Sequence, residues 1–149
     1  MAIQVGDKAP DIKTSEFKLA EQRGKRVVLF FYPKSDTPGC TKEACEFRDT
    51  AKTFAKRDTV IVGLSPDKAP AQQKFATKHS LPFTLVPDPE HAIAEAYGVW
   101  VEKSMYGRKY MGIERSTFVI DEKGKIAHIF HKVKPEGHAA EVLEALSEK

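Results

Sequence analysis

The unbroken apolar run Val27-Val28-Leu29-Phe30-Phe31 ends at Tyr32-Pro33 and gives way almost at once to a helix start at Thr37-Pro38. A strand that is apolar at every position, rather than at every second one, has to be covered on both faces. That requirement points to a strand held inside a sheet, with helices packed against it. Thr37 stands at an N-cap position and Pro38 at the first helical position, where a missing N–H costs nothing. Ala44, Phe47, Ala51, Phe54 and Ala55 then recur at the helical period and carry this helix over residues 37–56.

Strands and helices alternate from there. Residues 60–64 read as a strand, 70–79 as a helix stopped before Leu81-Pro82, 84–86 as a short strand, and 92–97 as a helix ended by Gly98. Residues 116–120 and 125–130 are expected to pair across Asp121-Glu122-Lys123-Gly124, with a last helix over 137–146. This order predicts one α/β domain spanning 1–149, a thioredoxin-like sandwich with a central mixed sheet flanked by helices. An extra N-terminal hairpin is expected in the segment up to Leu19. Residues 101–110 show no period and read as a loop, with Trp100, Met105 and Tyr106 available to line a pocket mouth.

Cys40 and Cys45 are the only cysteines in the chain. Cys40 falls in the first turn of the 37–56 helix, where unpaired backbone N–H groups and the positive end of the helix dipole favour an anion. The thiolate of Cys40 is therefore expected to be stabilised over the thiol, which is what a nucleophile needs. At 100° per residue Cys40 lies near the centre of the apolar stripe, whereas Cys45 falls outside it with Asp49, Lys52 and Lys56. Positions i and i+5 of an intact helix have Cα atoms about 8.5 Å apart, and a disulfide spans at most about 7 Å. Either the two never pair, or pairing unwinds the turns between them, as in a catalytic or sensing dithiol.

Other uses of two cysteines fit the chain less well. Buried cysteines often serve only as small hydrophobes. A zinc site would need two further ligands, and the histidines at 79, 91, 128, 131 and 138 show no paired spacing. His128 and His131 are expected on opposite faces of a strand. A thioredoxin-type pair would be Cys-x-x-Cys, with two intervening residues instead of four.

Pro33, Thr37 and Cys40 form Pro-x-x-x-Thr-x-x-Cys, which resembles the peroxidatic signature of the peroxiredoxins. A cysteine five residues on is similar to the Q-type subgroup, the bacterioferritin comigratory proteins. The likeness extends through Gly6-Asp7-Lys8-Ala9-Pro10-Asp11, Tyr97-Gly98-Val99-Trp100 and Met111-Gly112-Ile113-Glu114-Arg115-Ser116-Thr117-Phe118-Val119-Ile120-Asp121. It implies a cofactor-free thiol peroxidase acting on hydrogen peroxide and organic hydroperoxides. In that scheme Cys40 attacks the peroxide, Cys45 resolves the sulfenic acid as an intramolecular disulfide, and thioredoxin or a similar dithiol reduces it.

Arg115 would support the thiolate with a permanent charge and forked donors. Arg108 competes for that role, but Arg115 stands at the start of an expected strand and matches the family motif. Thr37 either caps the helix alone or also aligns the peroxide with the sulfur. Pro33 ends the strand and covers the pocket. Glu43 reads as an acid near the helix start, although the matching family position orients the arginine. A second functional class stays open, a redox-sensing or thiol-exchange protein that uses the same cysteines without efficient peroxide turnover.

The bulk numbers set the surroundings. At 149 residues, 41% hydrophobic, there is chain for one core, and 30% charged residues with a net charge of +3 give only a weak basic bias. Lys and Arg are scattered, so no nucleic-acid partner is expected. The start, Met1-Ala2-Ile3-Gln4-Val5-Gly6-Asp7, lacks a charged and an apolar signal region, and no apolar run approaches a membrane span. A cytoplasmic chain follows as the expectation, its thiols kept reduced, with no membrane partner. The resemblance adds a monomer.

Overall fold

The computed structural model describes residues 3–147. After a short 3-10 turn (Leu19–Gln22) the elements are β1 (Arg26–Phe31), α1 (Pro38–Lys56), β2 (Thr59–Ser65), α2 (Ala69–Lys78), β3 (Thr84–Pro87), α3 (Ala92–Ala96), β4 (Trp100–Met105), β5 (Arg108–Ile113), β6 (Ser116–Ile120), β7 (Ile126–Phe130) and α4 (His138–Ser147). A five-stranded mixed sheet has the order β3-β2-β1-β6-β7, with β2 parallel to β1 and β6 antiparallel to it. β4 and β5 form a separate antiparallel pair.

β1 is the middle strand, and its continuous apolar run feeds two cores. Val27, Leu29 and Phe31 face one, shared with Ile12, Leu19, Tyr97 and Ile113. Val28 and Phe30, followed by Tyr32, face the other, shared with Cys40, Ala44 and Phe47 of α1, Phe75 of α2 and Val142 of α4. Each fully buried side chain of this size contributes about 1.5–3 kcal/mol. The rings of Phe30 and Phe47 stack with centroids 4.8 Å apart, which holds the cysteine-bearing helix against the central strand. Gly63 of β2 leaves room for this packing, since a Cβ there would stand 2.7 Å from both Phe30 and Leu85.

The structure departs from the sequence expectations in three places. The N-terminal hairpin is reduced to a single antiparallel bridge between Lys13 and Lys18, closed by Thr14 and Phe17. The preceding segment instead lies along the start of β7, with Gly6 N–H donating to Ile126 O and Ile126 N–H to Asp7 O. Pro10 has no N–H with which to continue that ladder. Residues 101–110, expected as a loop, form the β4–β5 hairpin, which turns at Tyr106-Gly107 with φ of 53° and 79°. Positive φ at both central residues is the turn that matches strand twist. The strands carry polar residues on both faces, so no alternation betrays them. Finally, Ala55 is exposed and does not extend the buried stripe of α1. Among the described residues no helix is long and apolar enough to cross a membrane.

Candidate active site

The loop from β1 to α1 is pinned before the helix begins. Tyr32 N–H gives the last bond toward Leu64 O, and Pro33, half-buried, has no donor to extend the ladder. Ser35 N–H donates to Asp67 Oδ2 at 2.7 Å, and the Tyr32 hydroxyl lies 3.1 Å from Ser35 Oγ. Burial pushes the Tyr32 phenol up to about 12, so it stays protonated. Asp36, at φ 65°, meets Lys78 Nζ at 3.1 Å, and the Lys78 hydrogen bond holds its carboxyl below the usual range.

Thr37 occupies the N-cap, but its hydroxyl does not cap. Oγ1 donates to Lys34 O at 2.8 Å, and the helix starts through the backbone, with Thr41 N–H donating to Thr37 O. The hydroxyl therefore braces the loop and keeps its lone pairs available to accept a bond.

Cys40 is buried, 1% exposed, and Arg115 Nη2 donates to its sulfur at 3.2 Å. The other arm of the guanidinium, Nη1, donates to Glu43 Oε1 at 2.7 Å. Arg115 lies in the link between β5 and β6, where its carbonyl accepts from Val133 N–H at 2.9 Å. Gly39 leaves room for the fork: a Cβ there would stand 3.3 Å from Arg115 Nη2 and 3.4 Å from Pro135. Burial works against the Arg115 charge, yet Glu43 and Cys40 outweigh it and hold the guanidinium more firmly protonated than usual. Arg108, the competing arginine, lies at the far end of β5, exposed and paired across the hairpin with Met105. Of the two, Arg115 is the one at the sulfur.

Glu43 is not an acid of the first helical turn, since α1 has none there, and it is 0% exposed, while its bond to Arg115 agrees with the partner that the family resemblance implied. Burial pushes its carboxyl up to about 7, against the attraction and hydrogen bond of Arg115, and the Glu46 charge adds to the rise. Its placement was readable in principle, because i+3 from Cys40 is the flank of the same stripe.

Lys103 of β4 is a site neighbour that the sequence did not indicate. It is half-buried, and burial followed by the Arg115 charge holds its ammonium below the usual lysine range, with Cys40 and Glu114 opposing. Reading 101–110 as a loop hid it. Trp100 stacks on His91 with centroids 4.0 Å apart at the base of the hairpin, and Tyr106 stands at its tip, 98% exposed.

Cys45 is partly exposed on the same continuous helix, and both thiols are free. Among the described residues no group of three or more His, Cys, Asp or Glu could hold a metal ion. His128 lies in β7, while His131 falls beyond its end, 3.1 Å from Glu114 Oε2.

A buried sulfur near a helix N-terminus, held by one arm of an arginine whose other arm is anchored, is arranged for nucleophilic thiol chemistry. Comparison with known proteins agrees. The AhpC/TSA family model matches residues 5–129. The chain is 49% identical to peroxiredoxin Bcp of Bacillus subtilis, covering 99% of this chain and 98% of that one, and 42% identical to peroxiredoxin Bcp of Escherichia coli, covering 93% and 89%. Among solved structures it resembles a cysteine-to-serine mutant of Xylella fastidiosa PrxQ, 31% identical with a TM-score of 0.89 over 99% of this chain and 97% of that one. It also resembles a complex bearing on the alkyl peroxide reduction activity of Xanthomonas campestris bacterioferritin comigratory protein, 39% identical with a TM-score of 0.84 over 88% and 83%. With a family model across most of its length and full-length relatives near half identity, the chain belongs to the peroxiredoxins, in their Bcp/PrxQ branch, a family of thiol peroxidases.

Proposed function

We propose that this peroxiredoxin reduces hydrogen peroxide and organic hydroperoxides through Cys40, with Cys45 as resolving thiol and thioredoxin or a similar dithiol as reductant. The observation that carries the reading is the Arg115 bridge, 3.2 Å to the Cys40 sulfur and 2.7 Å to Glu43. In the first step the Cys40 thiolate attacks the terminal oxygen of ROOH. The S–O bond forms, the O–O bond breaks, and RO⁻ leaves to be protonated to ROH. Arg115 offers donors to the sulfur and to the oxygen that gathers charge. Thr37, its own proton committed to Lys34, aligns the peroxide by accepting from the terminal O–H. Pro33 limits water around the sulfur, and Glu43 orients Arg115.

In the second step the Cys45 thiol displaces water from the Cys40 sulfenic acid and the disulfide forms. Both cysteines lie on one helix, so no second copy of the chain is required and a monomer suffices. A reducing, cytoplasmic setting returns the disulfide to the dithiol.

The test is peroxide consumption with thioredoxin, thioredoxin reductase and NADPH, using hydrogen peroxide and an organic hydroperoxide. Cys40→Ser is expected to remove turnover while leaving the fold intact. Substantial residual activity in that variant would overturn the mechanism, and a wild type that exchanges thiols without consuming peroxide would favour a redox sensor.

A further inference from the structure

Arg115 holds two acids, and only one of them can be matched by its charge. Cys40 and Glu43 are 1% and 0% exposed, stand one helical turn apart, and each takes one arm of the same guanidinium. An ionised carboxylate ordinarily gathers donors at both oxygens. Here Glu43 Oε2 is buried and has no hydrogen-bond partner among the described residues. If thiolate and carboxylate were both charged, one cation would face two buried anions, at a cost that a single added proton removes.

The charged groups around the pair do not supply a second full partner. Glu46, on the same helix, adds negative charge to Glu43. Lys103, on β4, is half-buried and forms no ion pair among the described residues. Glu114 opposes it from the β5–β6 link. On α4, His138 is buried between Thr117 and Glu141 and held below the usual histidine range by its burial, so it stays neutral near pH 7.

We propose that Cys40 and Glu43 share one proton across Arg115 in the reduced protein, so that Glu43 is the proton acceptor for the thiol as well as the anchor of the arginine. The step is Cys40–SH + Glu43–COO⁻ ⇌ Cys40–S⁻ + Glu43–COOH. The S–H bond breaks, an O–H bond forms, the electron pair stays on sulfur, and the net charge of the site does not change. The thiolate is thereby produced without releasing a proton to water. The upward displacement of Glu43 into the neutral range agrees with this exchange. Glu43 acts on the thiol proton and through Arg115, not on the peroxide.

The inference rests on Cys40 being the reactive thiol, yet neither of its tests uses peroxide, so its failure and that of the peroxidase reading are distinguishable. The first test follows the ultraviolet absorbance of the thiolate against pH in a Cys45→Ser background, where Cys40 is the only thiol that ionises. With Glu43 present the signal is expected to rise in two steps that belong to the pair. With Glu43→Gln added it should rise in one step, below the upper step of the pair, because the competing anion is gone. Coincident curves would overturn the proposal. The second test needs no Glu43 variant and stands even if Glu43→Gln fails to fold. Infrared difference spectra of reduced wild type against Cys40→Ser at neutral pH should show a protonated carboxylic acid band in wild type that is lost in Cys40→Ser, where no thiolate competes for Arg115. A carboxyl signal indifferent to Cys40 would show that no proton is shared.

Discussion

Five residues apart on one helix, the two thiols have opposite surroundings. Cys40 is sealed into the core shared by α1, α2, α4 and the sheet, with the Arg115 fork on its sulfur and Glu43 behind the fork. Cys45 is partly exposed on the outer side, near Arg48, whose charge is engaged chiefly by Asp49. The contrast separates two requirements of a reactive dithiol. A thiol that must meet peroxide as an anion benefits from a fixed cation in a water-poor site. A thiol that must later reach the first, and then a reductant, benefits from access. In the proposed cycle one helix would supply both, intact for the first task and open for the second.

The largest effect that would break this comparison is expected for Cys45. Cys45→Ser should consume its first equivalent of peroxide at the wild-type rate and then stall as the sulfenic acid, with thioredoxin-linked turnover down by roughly tenfold or more and sulfinic acid accumulating in the mass spectrum. Equal steady-state rates would show that Cys45 does not resolve. Arg115→Lys tests the buried side. It keeps the charge but cannot bridge Cys40 and Glu43 at once, so stopped-flow peroxide attack should slow by about tenfold, near 1.4 kcal/mol of transition-state stabilisation. If Arg108→Lys were crippled and Arg115→Lys unimpaired, the wrong arginine has been assigned. The smallest effect is expected at Gly39. A methyl group 3.3 Å from Arg115 Nη2 must push aside a guanidinium held by two partners. Gly39→Ala should therefore slow attack by about threefold, under 1 kcal/mol, without lowering the unfolding midpoint. An unchanged rate would mean that the fork tolerates displacement.

What was legible in the sequence divides along the same line. The β1 strand follows from its unbroken apolar run, and the α1 stripe and the position of Cys40 on it from helical periodicity, because apolar burial is what both patterns record. Arg115 was chosen by motif and by an expected strand start, and although it stands in the link just before β6, the fork to Glu43 and Cys40 agrees with the choice. The residues alone made Glu43 an acid of the helix start, and only the resemblance linked it to the arginine, because a carboxylate on a helix is ordinarily solvated and only the arginine from a distant link makes its burial tolerable. Thr37 has the residue type and place of a cap, yet its hydroxyl turns back to Lys34 O, a local competition that the sequence does not resolve. The β4–β5 hairpin escaped because Tyr106 adopts the left-handed conformation usually left to Gly or Asn, and because its exposed strands lack a buried face to impose alternation. Lys103 was lost with it.

If Cys40 and Cys45 are to bond, α1 must unwind between them. Hydrogen exchange measured on the dithiol and disulfide forms tests it most directly. The amides of residues 40–47 should be protected in the dithiol, where α1 is continuous from Pro38 to Lys56, and should exchange markedly faster in the disulfide. Equal protection in the two forms, with the Cys40–Cys45 bond verified by mass, would contradict it.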